Sequence, residues 1–298
     1  PDLDLTIVVP VFNSSALLKP TIDSVLAIKG LRFDLLLVDD GSTDDSLSIM
    51  EDYEARFENV HVFSQGNRGA GRARNSVIPL ASGRYTYFLD ADDVIDSAAI
   101  VAAVRQADEE SSDLLFMKYR IEYTDEGRSR GMFDADREVW SRASKAVSHR
   151  RRQQEATQHI NYPWNRLIRT RVLHDANIFF GPTVVHNDVL FHWHSIAAAS
   201  RISFFEGEVC VHRKFTSREQ ITNINDARRL AVLEALRGTH ERISAMDSYD
   251  GVREEWNHFA QHLLSWAASR IPEELRPLYE LRRSELSREF ERQSSFAD

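Results

Sequence analysis

The sequence lacks the features that mark secreted and membrane-spanning chains. Its single cysteine, Cys210, excludes an internal disulfide framework and is typical of a protein in a reducing cytoplasm. No apolar run approaches the length that a membrane-spanning helix requires, and the stretch from Pro1 to Asp4 is not a signal peptide. We therefore expect a cytoplasmic protein, with at most a peripheral association at the inner face of the membrane.

An excess of positive charge is also missing. The 46 acidic residues outnumber the 37 lysines and arginines, and the formal net charge of −9 disfavours nucleic acid as a partner. The 298 residues, 42% of them hydrophobic, suffice for one large domain or two modest ones. Because the chain begins with Pro1 and not with methionine, we expect a processed chain or a part of a longer multidomain protein.

A glycine-rich phosphate loop is the third absence. Over the first 95 residues, hydrophobic patterns predict strands that alternate with helices, the strands at 5–12, 33–38, 60–63 and 85–89 and the helices at about 16–28, 46–57 and 72–81. This alternation predicts an α/β fold with a Rossmann-like, mostly parallel sheet flanked by helices. Residues 10–15 contain no Gly-x-Gly-x-x-Gly, however, which disfavours a dinucleotide-dependent dehydrogenase.

Three carboxylates follow the fourth predicted strand: Asp90, Asp92 and Asp93. Ionised carboxylates are costly to bury unpaired, so they must face water, a cation or a nucleotide. Ligands of open α/β sheets bind outside the carboxyl ends of the strands, and clustered oxygens suit Mg²⁺ or Mn²⁺ shared with substrate phosphates. The alternative is a solvated acidic turn, with Asp96 or Ser97 capping the next helix.

A basic loop with three glycines, at residues 66–74, precedes this strand. The glycines allow close approach to a ligand, and Arg68, Arg72 and Arg74 can each pair with an anionic group through two hydrogen bonds. A flexible surface loop with solvated arginines is the alternative.

The second half of the sequence is less regular. We expect a helix at 97–111, a strand at 113–117 that extends towards 123, and then a polar stretch at 124–158. This stretch is either an excursion over an acceptor cleft or a solvated helix. Strands are predicted at 202–205 and 208–213, with a turn at Gly207 between them, and residues 226–292 are predicted to be helical.

Four motifs in the first 95 residues carry a family resemblance. Thr-Ile-Val-Val-Pro-Val-Phe-Asn at 6–13, Leu-Val-Asp-Asp-Gly-Ser-Thr-Asp at 37–44, Asn-x-Gly-x-x-x-Ala-Arg-Asn at 67–75 and Phe-Leu-Asp-Ala-Asp-Asp at 88–93 together resemble the inverting glycosyltransferases of family 2, in particular those that build bacterial surface polysaccharides or teichoic acids. The resemblance implies the GT-A fold over residues 1–222, with a nucleotide-binding half at 1–95, an acceptor half at 96–222 and a C-terminal helical region at 223–298.

The resemblance also implies a donor site for a nucleotide-diphosphate sugar, most simply a UDP-sugar. The residues expected to bind the donor nucleotide are Pro10, Phe12, Asn13, Asp39, Arg68, Arg74, Asp90 and Ala91. A divalent cation, Mn²⁺ or Mg²⁺, is expected on Asp90 and Asp92, and His212 is a candidate for an additional metal ligand. A structural histidine within a strand is the alternative for His212.

The family places its catalytic base in a Glu-Asp-x-x-Phe box at the start of a helix, which corresponds here to residues 187–191. Asp188 is therefore the expected base, although a carboxylate at a helix start can also be only a cap. Asn187 replaces the glutamate of the box. Asn187, Arg213 and Trp164 are weaker candidates for contacts with the acceptor or the diphosphate, and Trp164 could equally be a core residue.

The expected reaction is transfer of a sugar to an acceptor hydroxyl, with inversion at the anomeric carbon, on a saccharide or polyol-polymer acceptor. Two other functions stay open from the sequence: a catalytically silent GT-A module that binds glycans or scaffolds a partner, and a nucleotidyltransferase. The C-terminal helices could also mediate homo-oligomerisation.

Overall fold

The computed structural model describes residues 2–215 and 226–294, the latter with side chains up to residue 290. Within these ranges nine strands form one sheet in the order β3-β2-β1-β4-β8-β6-β9-β5, with β7 paired to β6. The strands are β1 (Leu5–Val11), β2 (Phe33–Asp39), β3 (Val60–Ser64), β4 (Tyr85–Phe88), β5 (Val94–Ile95), β6 (Leu114–Tyr123), β7 (Arg128–Gly131), β8 (Arg166–Arg169) and β9 (Ile202–Lys214).

Helices cover the sheet and continue beyond it. Over the same described ranges they are α1 (Leu18–Leu26), α2 (Ser46–Glu54), α3 (Ala70–Val77), α4 (Ser97–Glu109), α5 (Asp134–Ala143), α6 (His149–Ala156), α7 (Thr170–Asp175), α8 (Asp188–Ala198), α9 (Ala231–Ser244), α10 (Arg253–Ala268) and α11 (Arg276–Ser294). None of these helices is both long and apolar enough to cross a membrane.

The first four strands build the half of the sheet that the sequence predicts. β1 pairs in parallel with β2 and β4, and β2 pairs in parallel with β3. All seven residues of β1 are buried, as expected of a strand covered on both faces. In this register Val11 lies opposite Asp39 and Val8 opposite Phe88, so the acids that follow β2 and β4 meet at one edge of the sheet.

The predicted α/β architecture is confirmed, and the second half makes the sheet mixed. β8 runs antiparallel to both β4 and β6, whereas β9 runs parallel to β6 and antiparallel to β5. These pairings join strands that are distant in sequence, which is why the sequence pattern does not give their order.

The expectation of two strands separated by a turn at Gly207 is wrong, because β9 continues through this residue to Lys214. The register against β6 shifts between Met117 and Lys118, where the pairing jumps from Phe205 to Glu208. Two residues of β9 are therefore left over, which is the geometry of a β-bulge. A Cβ on Gly207 would lie 2.3 Å from the ring of Phe205, so a larger residue there would have to displace that ring.

The polar stretch at 124–158 folds into the exposed hairpin strand β7 followed by α5 and α6. It is more than a solvated helix, because Val139, Trp140 and Ala143 of α5 are buried. Asp136 anchors this segment: its carboxylate accepts hydrogen bonds from Tyr119 Oη at 2.6 Å and from the Ile160 backbone at 2.8 Å.

The predicted C-terminal helical region is confirmed by α9, α10 and α11, which have a core of their own. That core also contains Val189 and Trp193 of α8. Phe191 and Ile196 of the same helix belong instead to the core of the sheet. One helix is thus shared between two cores. The predicted domain boundary at 222/223 lies outside the described residues and stays a prediction.

Candidate active site

The turns that follow β1 and β2 are tied to each other. Asp39, at the end of β2, is buried and accepts hydrogen bonds from the Gly41 and Ser42 backbone at 3.2 and 3.1 Å. Asn13 adopts a left-handed φ of 47°, and its side-chain oxygen accepts from the Thr43 backbone at 2.8 Å. Pro10 is buried, whereas the Phe12 ring is 47% exposed and offers a flat apolar surface beside these turns.

The second acid of the pair at 39–40 was missed by sequence reasoning. Asp40 is buried, and its carboxylate accepts from the Arg68 and Gly69 backbone at 2.8 and 2.7 Å and from Gln65 Nε2 at 2.8 Å. Asp40 therefore fixes the glycine-containing loop against the sheet and leaves the Arg68 side chain exposed. Two features of the sequence could have indicated this role: Asp40 is an acid at a strand end, and the glycine-containing loop after β3 offers backbone amides that can donate to it.

Asp90, Asp92 and Asp93 form an acidic cluster after β4. One carboxylate oxygen from each lies within 4.8 Å of the other two. Burial, followed by the charges of Asp93 and Asp90, raises the pKa of Asp92 to about 7. Burial also raises the pKa of Asp93. A divalent cation would relieve this crowding of negative charge, so the donor set fits one. Ala91, between the acids, is buried, and its carbonyl accepts from Thr21 Oγ1 at 2.9 Å.

Asp93 lies behind the cluster and orients His212. The Asp93 carboxylate is fully buried, and each of its oxygens lies 3.1 Å from His212 Nδ1. The same carboxylate accepts a hydrogen bond from the Arg213 backbone N–H at 2.8 Å. Burial lowers the pKa of His212, but the negative charges of Asp93 and Asp92 outweigh this effect and raise it overall. In the neutral form, a histidine that donates Nδ1–H to a carboxylate presents a lone pair on Nε2, which is the arrangement found behind metal-bound histidines. The structure thus brings His212, from β9, to the acids that follow β4.

Two arginines hold the cluster in place. Arg74 is buried, donates to Asp90 Oδ1 at 2.5 Å and to Asn187 Oδ1 at 3.4 Å, and lies 4.8 Å over the ring of Phe180. It therefore connects the acidic cluster to the start of α8.

Arg213 is the second of these arginines. Its side chain donates to the Asp92 carbonyl at 2.5 Å, the Leu17 carbonyl at 3.1 Å and Thr21 Oγ1 at 3.2 Å. The guanidinium is thereby attached to the acidic turn and to the segment at the start of α1. A contact of Arg213 with the acceptor or the diphosphate stays a prediction.

Asp188 is the first residue of α8. Asn187 occupies the N-cap position without a side-chain capping bond. Burial raises the pKa of Asp188 to about 6, while the positive charge of Arg74 acts in the opposite direction. Because α8 is shared between two cores, the backbone that carries Asp188 is fixed from both sides.

Tyr162 and Trp164 stack beside His212, with 4.4 Å between the ring centroids of the first two and 5.1 Å from Trp164 to His212. Trp164 has no exposed surface, whereas Tyr162 is partly exposed. In this arrangement Trp164 supports Tyr162. The Trp164 ring has no exposed face, so it cannot contact an acceptor as predicted.

Comparisons with known proteins bear on the family and on the fold. The family model described as "Glycosyl transferase family 2" matches residues 6–176, more than half of the chain. An uncharacterized glycosyltransferase, EpsJ of Bacillus subtilis (strain 168), is 26% identical over 212 residues, 70% of this chain and 61% of the relative. A poly(ribitol-phosphate) beta-glucosyltransferase of Bacillus spizizenii is 34% identical over 122 residues, 40% of this chain and 19% of the relative. This chain thus corresponds to less than two thirds of either relative.

Solved structures share the fold. TarS residues 1–349 from S. aureus superpose with a TM-score of 0.69 at 21% identity, covering 99% of this chain and 92% of that one. The same fragment in complex with UDP-GlcNAc gives a TM-score of 0.67 at 21% identity and the same coverage. A mannosyltransferase from Pyrobaculum calidifontis, in complex with GDP-Man and Mn²⁺, gives 0.59 at 15% identity, covering 99% of this chain and 85% of that one.

Proposed function

The chain belongs to glycosyl transferase family 2, and from this premise we propose that it transfers a sugar, with inversion, from a UDP-sugar to an acceptor hydroxyl. The observation that carries the proposal is the Arg74 bridge, which joins a strand-end acidic cluster to the helix start that bears Asp188. A glycosyl transfer by direct displacement requires a site for the donor diphosphate and a base close to it. The acidic cluster could provide the first and Asp188 the second, with the Arg74 side chain between them.

The nucleotide would bind at the turns after β1 and β2. The exposed Phe12 ring can stack on a base, beside the buried Asp39 and Pro10 and the exposed Asn13, whose side chain fixes the turn after β2. Arg68, exposed on the loop that Asp40 fixes, can reach an anionic group of the donor. UDP is favoured as the nucleotide because the TarS fragment, a structural neighbour over nearly the whole chain, binds UDP and UDP-GlcNAc.

A divalent cation would be held by Asp90 and Asp92, which form the described acidic group with Asp93. His212 lies outside that group but is oriented by Asp93, and its Nε2 is the further ligand that we propose. When bound, the cation stabilises the negative charge that develops on the leaving diphosphate. Asp90 also keeps Arg74 beside the same site, which adds positive charge close to the leaving group.

Asp188 would remove the proton from the attacking hydroxyl. A base works best when its pKa lies near the working pH, and burial brings the pKa of Asp188 to about 6. Asp188 is then still ionised at pH 7 but is a stronger base than an exposed aspartate. One base and one in-line displacement invert the anomeric carbon, whereas a glycosidase needs two carboxylates that flank the bond.

The acceptor that we propose is a saccharide or polyol polymer of the bacterial cell surface, and the location that we propose is the cytoplasm, with at most a peripheral association at the inner face of the membrane. The acceptor is supported by relatives such as the poly(ribitol-phosphate) beta-glucosyltransferase. The single, buried Cys210 agrees with a reducing compartment. Whether the chain acts alone, as a homo-oligomer or within a longer protein stays a prediction.

The proposal is tested by calorimetric titration of UDP, GDP, CDP and dTDP, each with and without Mn²⁺. Asp92→Asn is the test variant, and Asp52→Asn, which changes an exposed acid on α2, is its matched control. We expect UDP binding that depends on Mn²⁺ in the wild type and in Asp52→Asn, and its loss in Asp92→Asn. Hydrolysis of UDP-sugars, with Asp188→Asn as the inactive control, would then identify the sugar.

A silent GT-A module is the outcome that would replace this proposal. The replacement of the family glutamate by Asn187 is the observation in its favour, although Asn187 still accepts a hydrogen bond from Arg74. If no nucleotide binds with or without metal, the enzymatic proposal fails.

A further inference from the structure

Residues 181–187, here called the base loop, lead directly into Asp188. The loop is closed by a hydrogen bond from the Gly181 backbone to the Asn187 carbonyl at 2.7 Å. On one side it packs against α3, where Asn75 and Phe180 exchange hydrogen bonds of 2.8 and 2.9 Å. The loop conformation therefore determines where the base carboxylate is placed.

His186 gives the base loop an unusual backbone. Its φ is +63°, a left-handed conformation that costs an L-residue with a Cβ about 1–2 kcal/mol. The carbonyl of His186 accepts the Val189 backbone N–H at 3.3 Å and so begins the first turn of α8. If His186 relaxed to negative φ, the next two peptides, which carry Asn187 and Asp188, would turn with it. A contact that holds the His186 ring therefore also holds these two peptides.

That contact comes from the C-terminal helices. The His186 ring meets the Trp266 ring of α10 edge to face, with 5.9 Å between centroids and 87° between planes. Trp266 is itself flanked by two guanidinium groups, Arg229 at 4.6 Å and Arg270 at 4.1 Å from its centroid. Burial and the charge of Arg229 lower the pKa of His186 to about 4, so its ring is neutral at pH 7 and is not repelled by these cations.

Further contacts join the C-terminal helices to the chain on either side of the base loop. Val189 and Trp193 of α8 are buried among side chains of α9 and α10. Arg242 of α9 donates to the Ala176 carbonyl at 2.9 Å, a few residues before the base loop. The C-terminal helices thus reach the chain before the base loop, the loop itself and the helix that follows it.

We propose that the C-terminal helices complete the active site, and that Trp266 and His186 are positioning residues that hold the base loop so that Asp188 faces the acceptor. The role rests on the proposed function, because Asp188 is the base of that reaction. Neither residue needs to touch the donor. Their loss should therefore slow the chemical step and leave nucleotide binding unchanged.

Four variants test this coupling. Trp266→Ala removes the aromatic face, and Trp266→Phe retains one. His186→Asn keeps a residue that tolerates the left-handed conformation but removes the ring. The matched control is Tyr279→Phe, which loses the hydrogen bond from Tyr279 Oη to the Leu264 carbonyl at 2.6 Å and so perturbs the packing of α11 on α10 while keeping both rings of the His186–Trp266 contact.

We expect Trp266→Ala and His186→Asn to lower kcat of UDP-sugar hydrolysis about tenfold, since small displacements of a catalytic group are costly. The Kd for UDP with Mn²⁺ should stay within about twofold of the wild type. Trp266→Phe should recover most of kcat, and Tyr279→Phe should match the wild type in kcat. Amide hydrogen exchange over residues 181–189 should be faster in Trp266→Ala than in Tyr279→Phe.

Two results would overturn the inference. One is a Trp266→Ala protein with wild-type kcat. The other is unchanged exchange at residues 181–189 in both Trp266→Ala and His186→Asn. The exchange measurement does not require activity, so a wild type that binds and hydrolyses no UDP-sugar would refute the proposed function and still leave the coupling of the base loop to Trp266 testable.

Discussion

Gly71 is the position at which the packing around Asp188 can be probed with a single methyl group. It is the second residue of α3, and a Cβ added there would lie 2.8 Å from both the Asn187 Cβ and the Gly181 carbonyl oxygen. Real Cβ atoms do not approach other atoms so closely, so Gly71→Ala must push apart the two ends of the base loop or move α3.

The size of the effect follows from two opposed contributions. Alanine is favoured over glycine within a helix by about 1 kcal/mol. Overpacking of a buried site costs about 1–3 kcal/mol, and here the neighbours are backbone and a Cβ, which cannot rotate away. We therefore expect Gly71→Ala to lose between about 0 and 2 kcal/mol of unfolding free energy. Because the displaced atoms precede Asp188 directly, kcat should fall by about 10- to 100-fold.

The assay pairs urea denaturation with kcat of UDP-sugar hydrolysis, and Gly238→Ala is the matched control. Gly238 lies within α9, and an added Cβ there meets no described atom within 4 Å. This control should gain about 1 kcal/mol and keep wild-type kcat. If Gly71→Ala gains stability as Gly238→Ala does and kcat is unchanged, the tight approach of α3 to the base loop is not a feature of the working enzyme.

Three further predictions test individual side chains. Since Asp188 must be ionised to act as a base, kcat should fall as the pH decreases through about 6. The folded-state pKa of Asp188 lies above the ordinary value of 3.8, so its ionisation lowers the free energy of unfolding as the pH rises from about 4 to about 6. Asp188→Asn should therefore raise Tm at pH 7 while abolishing kcat. Asp93→Asn should lower the affinity for Mn²⁺, measured in the presence of UDP, about 10- to 100-fold, because His212 loses the carboxylate that orients it. An unchanged Mn²⁺ affinity would refute this. Asp136→Asn should cost about 1–3 kcal/mol in urea denaturation through the Tyr119 hydrogen bond and leave the Kd for UDP unchanged.

The meeting of the acids at one edge of the sheet could be predicted because its determinants are local. Asp39 and Asp90 each follow a short apolar strand, and parallel strands bring their carboxyl ends to one edge of a sheet. Each strand and the acid at its end can therefore be recognised within about ten residues of sequence. The same reasoning placed Asp188 at the start of a helix, where the structure has it.

The remainder depends on contacts between distant residues. Asp93 and His212 are 119 positions apart, and only the pairing of β9 with β5 and β6 brings them together. A tryptophan near a predicted cleft does not reveal whether it faces that cleft, and Trp164 proves to be covered by Tyr162. The sequence around Gly207 predicts a turn because a bulge and a turn both favour glycine and differ only in the pairing of the neighbouring strand.

The division of α8 between two cores has a consequence for biosynthesis. As the chain leaves the ribosome, Val189 and Trp193 emerge roughly 60 residues before Trp256, which covers Trp193 at a ring-centroid distance of 5.1 Å. At about 5–20 residues per second, this interval lasts roughly 3 to 12 s. During that time the sheet can form, while the apolar face of α8 that carries Val189 and Trp193 stays exposed to solvent. An exposed apolar face on a partly synthesised chain favours aggregation, and α8 reaches its final packing only after α10 has been made.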